Sequence, residues 1–386
     1  MAKKTRTVKK EENAKQSLQD LINKINGKYG YEAAGMANEA QGLRDIPTVP
    51  TGIFQLDVAT GGGVRKGSVI EIFGPKQSAK TFIANKILAT AQKLCRACLQ
   101  RLPCECDVCS PHVGAFIDVE GTLNLDWAEA IGLDLSNLVL SRPEHGEQAL
   151  DTAEDFLKSN GVDIVVLDSV AHITPMREVD GSAEDHHMGK RAILVNSACR
   201  KWVAAINSHG LSSRTKPIMV LINHVTQKLD IYGGESRPGG VGQEYASSLD
   251  IRVRSGKYHF DDKASGRTSS TGPTDKPWWV ELNFSIPKNK FYPPKLSGSF
   301  GLWLTDRDGI KAGTTDEFRA IFTAAKSLGL CYKDEDAKVY KLGGIEGRIL
   351  DDVADQLRAD ESKFWAIRQL VIDEMLRGAD DATKSE

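Results

Sequence analysis

Long hydrophobic runs are missing from this sequence of 386 residues. No apolar stretch approaches the roughly 20 residues that a membrane-spanning helix needs. The basic amino terminus, MAKKTRTVKKEENAKQ, has no apolar run behind it, and a secretory signal peptide requires one. We therefore expect a soluble protein of a reducing compartment, with no membrane partner.

An excess of basic charge is missing as well. The 50 Lys and Arg residues are balanced by 52 Asp and Glu residues, which gives a formal net charge of −2. Composition alone therefore does not indicate a nucleic-acid partner. Any binding to phosphates would depend on local clusters of Lys and Arg, because the salt-dependent part of that affinity comes from the charges at the contact.

The cysteines are not spread along the chain, as they are in small disulfide-linked secreted domains. Five of the seven lie between Cys95 and Cys109. Cys95 and Cys98 form one C-x-x-C pair, and Cys106 and Cys109 form a second. Two such pairs can complete a tetrahedral thiolate shell for Zn²⁺, with an iron–sulfur cluster or free thiols as alternatives. Four protein ligands would leave no open position, so we predict a structural role, and the pattern leaves the role of Cys104 open.

Apolar runs and helical periodicity divide the chain into three parts. Residues 1–45 are predicted to hold a disordered basic start and a short amphipathic helix that begins near Lys15. Over residues 46–305, continuous apolar strands alternate with helices, which is typical of an α/β core with a mainly parallel sheet. The last strands alternate polar and apolar residues, as strands near an antiparallel edge do. Residues 95–109 are an insert in that core, and residues 306–386 are predicted to form a small helical domain.

The segment after the first apolar strand of the core has the form of a phosphate-binding P-loop. It lies between a strand and a helix, where backbone N–H groups and the helix amino terminus can surround phosphates. Lys80 would reach the terminal phosphates, and Thr81 would bind Mg²⁺. Ala79 replaces the glycine that normally precedes this lysine. A positive φ at this position costs alanine more free energy than it costs glycine. The predicted nucleotide-binding residues of the loop are Gly74, Pro75, Lys76, Gln77, Ser78, Ala79, Lys80 and Thr81.

Two further apolar strands end in acidic residues. One strand ends at Asp168, which can hold Mg²⁺ together with Thr81 at the carboxyl end of a parallel sheet. Another ends at Glu120, a carboxylate that can orient and polarise the water that attacks a terminal phosphate. Asp118 lies on the same face of that strand, so spacing alone does not separate the two candidates.

Several motifs occur in an order that resembles the bacterial RecA recombinase family. They are Pro50-Thr-Gly-Ile-Phe-Gln-Leu-Asp57, Gly61-Gly-Gly-Val, the phosphate loop, Ala115-Phe-Ile-Asp-Val-Glu120, Gly146-Glu-Gln-Ala-Leu150, Asp168-Ser-Val-Ala-His-Ile-Thr-Pro175, His187-Met-Gly189 and Ile222-Asn-His-Val225. The resemblance covers roughly residues 15–305. It implies a RecA-like P-loop ATPase core in which Glu120 is the catalytic carboxylate and Lys80 assists catalysis.

The resemblance also implies roles that spacing alone does not assign. Asn124 and Trp127 fall where the family packs adenine, and an aromatic ring there can stack on the base. Lys288 and Lys290 match basic residues that reach the neighbouring subunit's nucleotide in family filaments, where such cations stabilise transition-state charge. Without the family, a solvated pair at a strand end would be the simpler interpretation. His224 replaces a glutamine that senses the γ-phosphate, and a histidine can still donate a hydrogen bond.

Two polar, glycine-rich segments, 176–186 and 226–242, match the family's DNA-binding loops. Such segments suit contacts between backbone N–H groups and phosphates, with ordering on binding. Glycine-rich stretches are also ordinary surface loops. The DNA-binding residues that the resemblance implies are Arg177, Arg200, Lys228, Arg237, Gly239 and Gly240.

The resemblance implies a DNA-dependent ATPase that forms helical filaments on single-stranded DNA and promotes homologous pairing and strand exchange with double-stranded DNA. Its setting would be the cytoplasm of a bacterial or phage-infected cell, and its cofactors ATP, Mg²⁺ and a structural Zn²⁺. The helix near Lys15 would dock on the adjacent subunit. Two alternatives stay open. One, suggested by Ala79 and His224, is an ATP-binding filament protein with little hydrolysis, and the other is a RecA-fold ring ATPase or helicase.

Overall fold

A computed structural model of the protein describes residues 2–37, 46–179, 189–211, 214–227, 235–260, 276–334 and 336–384, with the backbone alone described before residue 15 and after residue 378. In these ranges, no helix combines the length and the apolar character that crossing a membrane requires.

A mixed sheet forms the centre of the core. The core strands are β1 (Thr48–Val49), β2 (Val64–Arg65), β3 (Val69–Gly74), β4 (Gly114–Asp118), β5 (Leu138–Ser141), β6 (Ile164–Asp168), β7 (Ile218–His224), β8 (Thr226–Gln227), β9 (Glu235–Ser236), β10 (Leu249–His259), β11 (Trp279–Asn289) and β12 (Ser297–Trp303). Among the described residues, eight of these strands form one sheet in the order β12-β11-β10-β3-β7-β6-β4-β5. The strands from β10 to β5 pair in parallel, and β11 and β12 add antiparallel at one edge. The prediction of a mainly parallel sheet with an antiparallel edge is confirmed.

Helices cover both faces of this sheet. The α-helices of the described residues are α1 (Ala2–Tyr29), α2 (Phe54–Thr60), α3 (Lys80–Gln92), α4 (Leu125–Ile131), α5 (Gly146–Lys158), α6 (Met176–Val179), α7 (Lys190–Asn207), α8 (Gly242–Ala246), α9 (Phe318–Ser327), α10 (Leu350–Ala359) and α11 (Glu361–Lys384). On one face, α3 buries Phe82, Ile83 and Ile87. On the other face, α5 and α7 pack together, and the buried indole N–H of Trp202 donates to the Leu150 carbonyl at 3.2 Å. Because both faces are covered, the central parallel strands β3, β4, β6 and β7 are mostly apolar, and they end at one shared edge.

The amino-terminal helix is longer than the sequence predicts. The expected disordered start is wrong, since α1 begins at Ala2 and continues to Tyr29. Residues 2–26 contain neither proline nor glycine and are rich in Ala, Lys, Glu, Gln and Leu, which favour helix. High charge alone therefore does not prevent helix formation here.

The carboxyl-terminal part contains a small sheet as well as helices, which the sequence pattern did not indicate. Strands β13 (Cys331–Asp334), β14 (Val339–Leu342) and β15 (Ile345–Gly347) pair antiparallel. Between β14 and β15, Gly343 and Gly344 both have positive φ (54° and 80°), as a two-residue hairpin turn requires. The sheet packs with α9, α10 and α11 around a separate apolar cluster.

Candidate nucleotide-binding site

The phosphate loop joins β3 to α3 with a strained backbone. Ala79 precedes the first residue of α3 and has a left-handed backbone (φ 61°, ψ 30°), and Gln77 also has positive φ (58°). Ala79 therefore has the unfavourable backbone conformation that the sequence predicts, because a left-handed φ raises the free energy of any residue with a Cβ. A Cβ at Gly74 would lie 2.1 Å from the Val253 carbonyl oxygen, so the approach of β10 requires glycine there.

Lys80 folds back over the loop that precedes it. Its side chain is almost buried, and its Nζ donates to the carbonyl oxygens of Gly74 (3.2 Å) and Pro75 (2.7 Å). Burial lowers the pKa of Lys80, while the charges of Asp168 and Glu120 oppose that shift. A cation held among these groups is placed to meet the negative charge of a bound polyphosphate.

The two predicted magnesium ligands lie together. Thr81 Oγ1 donates to Asp168 Oδ2 at 2.6 Å. Burial raises the pKa of Asp168 to about 6, helped by the charges of Glu120 and Asp118, against the hydrogen bond from Thr81 and the charge of Lys80. A hydroxyl beside a carboxylate offers the hard oxygen donors that Mg²⁺ prefers, so the residues present fit this ion.

The structure separates the two acidic candidates at the end of β4. Asp118 is buried and accepts hydrogen bonds from the backbone N–H groups of Thr122 and Leu123, both at 3.1 Å, and from Arg142 Nε at 3.2 Å. Its oxygens therefore stabilise the turn after β4. Glu120, in contrast, lines the cavity beside the phosphate loop.

Three side chains surround the Glu120 carboxylate. Ser169 Oγ donates to Oε1 at 2.6 Å, and His172 Nδ1 and His224 Nε2 lie 2.8 Å and 3.2 Å from the same oxygen. Burial raises the pKa of Glu120, but the hydrogen bonds from Ser169 and His224 and the charge of His172 outweigh it, and the net shift is downward. His172 was not predicted as a site residue, although it lies within a quoted family motif; only the folding of β6 beside β4 brings it to Glu120.

A cavity of about 420 Å³ opens at these strand ends. Trp127, the residue predicted to stack on a base, lines this cavity, whereas Asn124 uses its side-chain oxygen to cap α4 by accepting from the Trp127 N–H at 2.9 Å. The lining residues are Gln77, Ser78, Ala79, Lys80, Thr81, Phe82, Glu120, Trp127, Asp168, His224, Tyr258, Val280, Leu282, Leu302 and Leu304.

Lys288 and Lys290 lie beside α8 and are not among the residues that line this cavity. Lys288 Nζ donates to the Glu244 carbonyl and lies 3.3 Å from Ser247 Oγ, and Lys290 Nζ lies 3.4 Å from the Tyr245 carbonyl oxygen. Within one chain, they therefore contact backbone carbonyls rather than the nucleotide site.

The implied DNA-binding residues occupy different environments. Arg177 lies on α6 and Arg200 is exposed on α7, while Gly239 and Gly240 adopt positive φ (98° and 80°). Lys228 lies outside the described residues.

Arg237, another of the implied DNA contacts, has its charge already matched within the chain. It pairs with Glu71 at 2.6 Å, Asp250 at 2.9 Å and Glu244 at 3.0 Å, and its guanidinium lies 4.4 Å from the Phe73 ring centroid. It anchors the segment before Gly239 to β3 and β10.

Four thiols converge in the insert. The sulfurs of Cys95, Cys98, Cys104 and Cys106 all lie within 4.8 Å of one another. This group differs from the predicted set at one position, since it contains Cys104 in place of Cys109. The Cys109 N–H donates to Cys106 Sγ at 3.3 Å in a tight turn, and the Cys109 thiol is left at the exposed rim, where it accepts from the Cys104 N–H.

A mainly parallel sheet whose strand ends carry a phosphate loop, a Thr–Asp pair and a neighbouring carboxylate defines a P-loop ATPase. Comparisons with known proteins narrow this class. Residues 16–270 match the family model of the RecA N-terminal domain. Protein RecA of Methylococcus capsulatus is 34% identical over 295 residues, 75% of each chain. Protein RecA of Desulfotalea psychrophila is 37% identical over 291 residues (74% of this chain, 72% of the relative), and that of Francisella tularensis subsp. novicida is 31% identical over 327 (84% and 81%). The chain belongs to the RecA family of ATP-dependent DNA recombinases, which are DNA-dependent ATPases.

Proposed function

We propose that this protein binds Mg²⁺ and ATP in the cavity at the strand ends and polymerises on single-stranded DNA, where it promotes homologous pairing and strand exchange with double-stranded DNA. One observation carries the proposal: the Thr81–Asp168 oxygen pair, the Lys80 ammonium and the Glu120 carboxylate all border one cavity. The cytoplasm of a bacterial or phage-infected cell is the setting that suits this activity.

Each residue has a distinct part in hydrolysis. Lys80 binds the terminal phosphates, and Trp127 stacks on the base. Thr81 and Asp168 would hold Mg²⁺, which supplies positive charge for the phosphate oxygens. Glu120 orients a water molecule and accepts its proton as the water attacks the γ-phosphate. Ser169 and the two histidines keep the Glu120 carboxylate ionised and fixed in direction.

Filament formation would use surfaces outside this cavity. Leu18 and Leu21 of α1 are exposed (43% and 52%), which suits docking of this helix on an adjacent subunit. Lys288 and Lys290 would exchange their carbonyl contacts for the neighbouring subunit's nucleotide, which would couple polymerisation to hydrolysis.

DNA would contact the two predicted loop segments near the filament axis. Arg177 and Arg200 would bind phosphates directly, and Lys228 would do the same. Gly239 and Gly240 would present backbone N–H groups to the phosphates, and Arg237 would hold the second segment in place rather than bind DNA itself.

For the cysteine insert we propose a structural Zn²⁺ bound by Cys95, Cys98, Cys104 and Cys106, because soft thiolates in a group of four favour this ion. The purified protein is expected to contain one zinc per chain. Cys104→Ser should lose most of it, whereas Cys109→Ser should keep it. Metal analysis of the wild type and the two variants checks this. Zinc loss in Cys109→Ser but not in Cys104→Ser would instead support the four ligands predicted from the two C-x-x-C pairs, with Cys109 in place of Cys104.

The recombinase proposal is tested by a strand-exchange assay with ATP, with a slowly hydrolysed analogue and without nucleotide. We expect joint molecules with ATP and with the analogue, and none without nucleotide. Electron microscopy of the same samples should show helical filaments on DNA. Hexameric rings without homologous pairing would contradict the proposal, and pairing with phosphate release at background level would favour an ATP-binding filament protein instead.

A further inference from the structure

Two histidines and the Glu120 carboxylate form a compact group. In the mechanism proposed above, only Glu120 of this group acts on the attacking water. One oxygen of Glu120 and one ring nitrogen each of His172 and His224 all lie within 4.8 Å of one another. The two rings meet edge-to-face, with centroids 5.7 Å apart. The side chain of His172 is half exposed (50%), so the group is open to solvent.

We propose that Glu120, His172 and His224 form a further metal site, which takes a transition-metal ion of the zinc class and switches ATP hydrolysis off. Two imidazole nitrogens and one carboxylate oxygen are ligands typical of open Zn²⁺ sites. The oxygen–nitrogen separations of 2.8 Å and 3.2 Å are close to what an ion about 2.0–2.2 Å from each ligand requires.

This site differs in chemistry from the magnesium site beside it. Thr81 and Asp168 offer oxygen donors alone, which suits Mg²⁺, whereas imidazole nitrogen favours Zn²⁺, Cu²⁺ or Ni²⁺ over Mg²⁺. The thiol cluster offers sulfur donors alone. The chain therefore presents three sets of ligands. The oxygen pair favours Mg²⁺, whereas the thiol cluster and the group of two histidines and Glu120 both suit Zn²⁺ and would bind it with different affinities.

Metal at this site would act through Glu120. Coordination of Oε1 would lower the basicity of the whole carboxylate, so that Oε2 accepts the proton of the attacking water less readily. Inhibition thus rests on the proposed function of Glu120, while metal binding itself depends only on the three side chains. No bond is made or broken, and no redox step occurs.

The test begins with metal binding alone. Full-length protein, with its thiol cluster loaded with zinc and excess metal removed, is titrated with Zn²⁺ in a calorimeter without nucleotide. One further zinc per chain is expected. His172→Ala should weaken this binding at least about tenfold, since losing even a group that only supports a ligand costs that much. His209→Ala is the matched control, because that ring contacts the Leu157 carbonyl at 2.7 Å at the end of α5.

The second arm measures hydrolysis with Mg²⁺ in excess, with and without free Zn²⁺, and compares each variant with its own zinc-free rate. The wild type and His209→Ala should slow at least about tenfold, in line with the loss of a general base, and His172→Ala much less. Equal zinc affinity in all three proteins, or no zinc beyond the cluster, would overturn the site. A second zinc that binds without slowing hydrolysis would overturn only the claim that metal at this site inhibits the ATPase. The hydrolysis rate of Glu120→Gln then shows separately whether the Glu120 carboxylate takes part in hydrolysis.

Discussion

Glu120→Gln is expected to lower the DNA-stimulated rate of ATP hydrolysis about 10²–10⁴-fold, the contribution typical of a positioned general base. The amide keeps the size of the side chain but cannot accept the proton of the attacking water. Binding of ATP should change little, because Lys80, Thr81 and Asp168 remain. Phosphate release with saturating single-stranded DNA gives the rate, and calorimetry with a slowly hydrolysed analogue gives the affinity.

Asp118→Asn is the control for this experiment. Asp118 accepts two backbone N–H groups and the Arg142 side chain, so its replacement should lower the stability of the turn after β4. Hydrolysis per folded molecule should fall by no more than about 10–100-fold, the effect typical of a group that acts only through others, and by less than in Glu120→Gln. Full activity of Glu120→Gln combined with an inactive, folded Asp118→Asn would transfer the catalytic role to Asp118.

The core of this site could be predicted from sequence because each part is local. The phosphate loop, Glu120 and Asp168 each follow an apolar strand, and parallel strands bring their carboxyl ends to one edge. Even the unfavourable backbone at Ala79 follows from its place in the loop. The structure is needed to distinguish Asp118 from Glu120. Asp118 is bound by the turn after β4, and a turn has no periodic sequence pattern that would reveal this.

Contacts between distant segments could not be predicted. Arg237 reaches Glu71 across 166 positions, and nothing near either residue indicates the pair. The role of His172 depends on β6 lying beside β4. Cys104 joins the thiol group because of how the chain folds between the two C-x-x-C turns, whereas the spacing of those turns alone favours Cys109. The short strands of the carboxyl-terminal part lack the length that makes a pattern recognisable.

The attachment of the carboxyl-terminal part to the core depends on a buried arginine. Arg368 of α11 is fully buried and donates to Asp57 of α2 and, at 2.9 Å, to Glu317 before α9. Asp57 also accepts from Thr51 Oγ1 at 2.7 Å. Burial raises the pKa of Asp57, and the charge of Arg368 is the largest opposing influence. One guanidinium thus compensates two buried carboxylates.

Arg368→Met is expected to lower the free energy of unfolding by about 3–5 kcal/mol at neutral pH, the cost of leaving buried charges without a partner. Urea unfolding followed by circular dichroism measures it. Arg377→Met, which removes an exposed pair with Glu374 on the same helix, should cost no more than about 1 kcal/mol.

The deficit of Arg368→Met should shrink as the pH falls. Without the guanidinium, the folded-state pKa of Asp57, which burial already raises, would lie still further above that of the unfolded chain, so stability is retained at low pH and lost as the pH rises through the folded-state value. A deficit that is equal at pH 5 and pH 8, or no larger than that of Arg377→Met, would show that the carboxylates find other partners. In that case apolar packing between α11, α9 and α2, rather than Arg368, would hold the carboxyl-terminal part on the ATPase core.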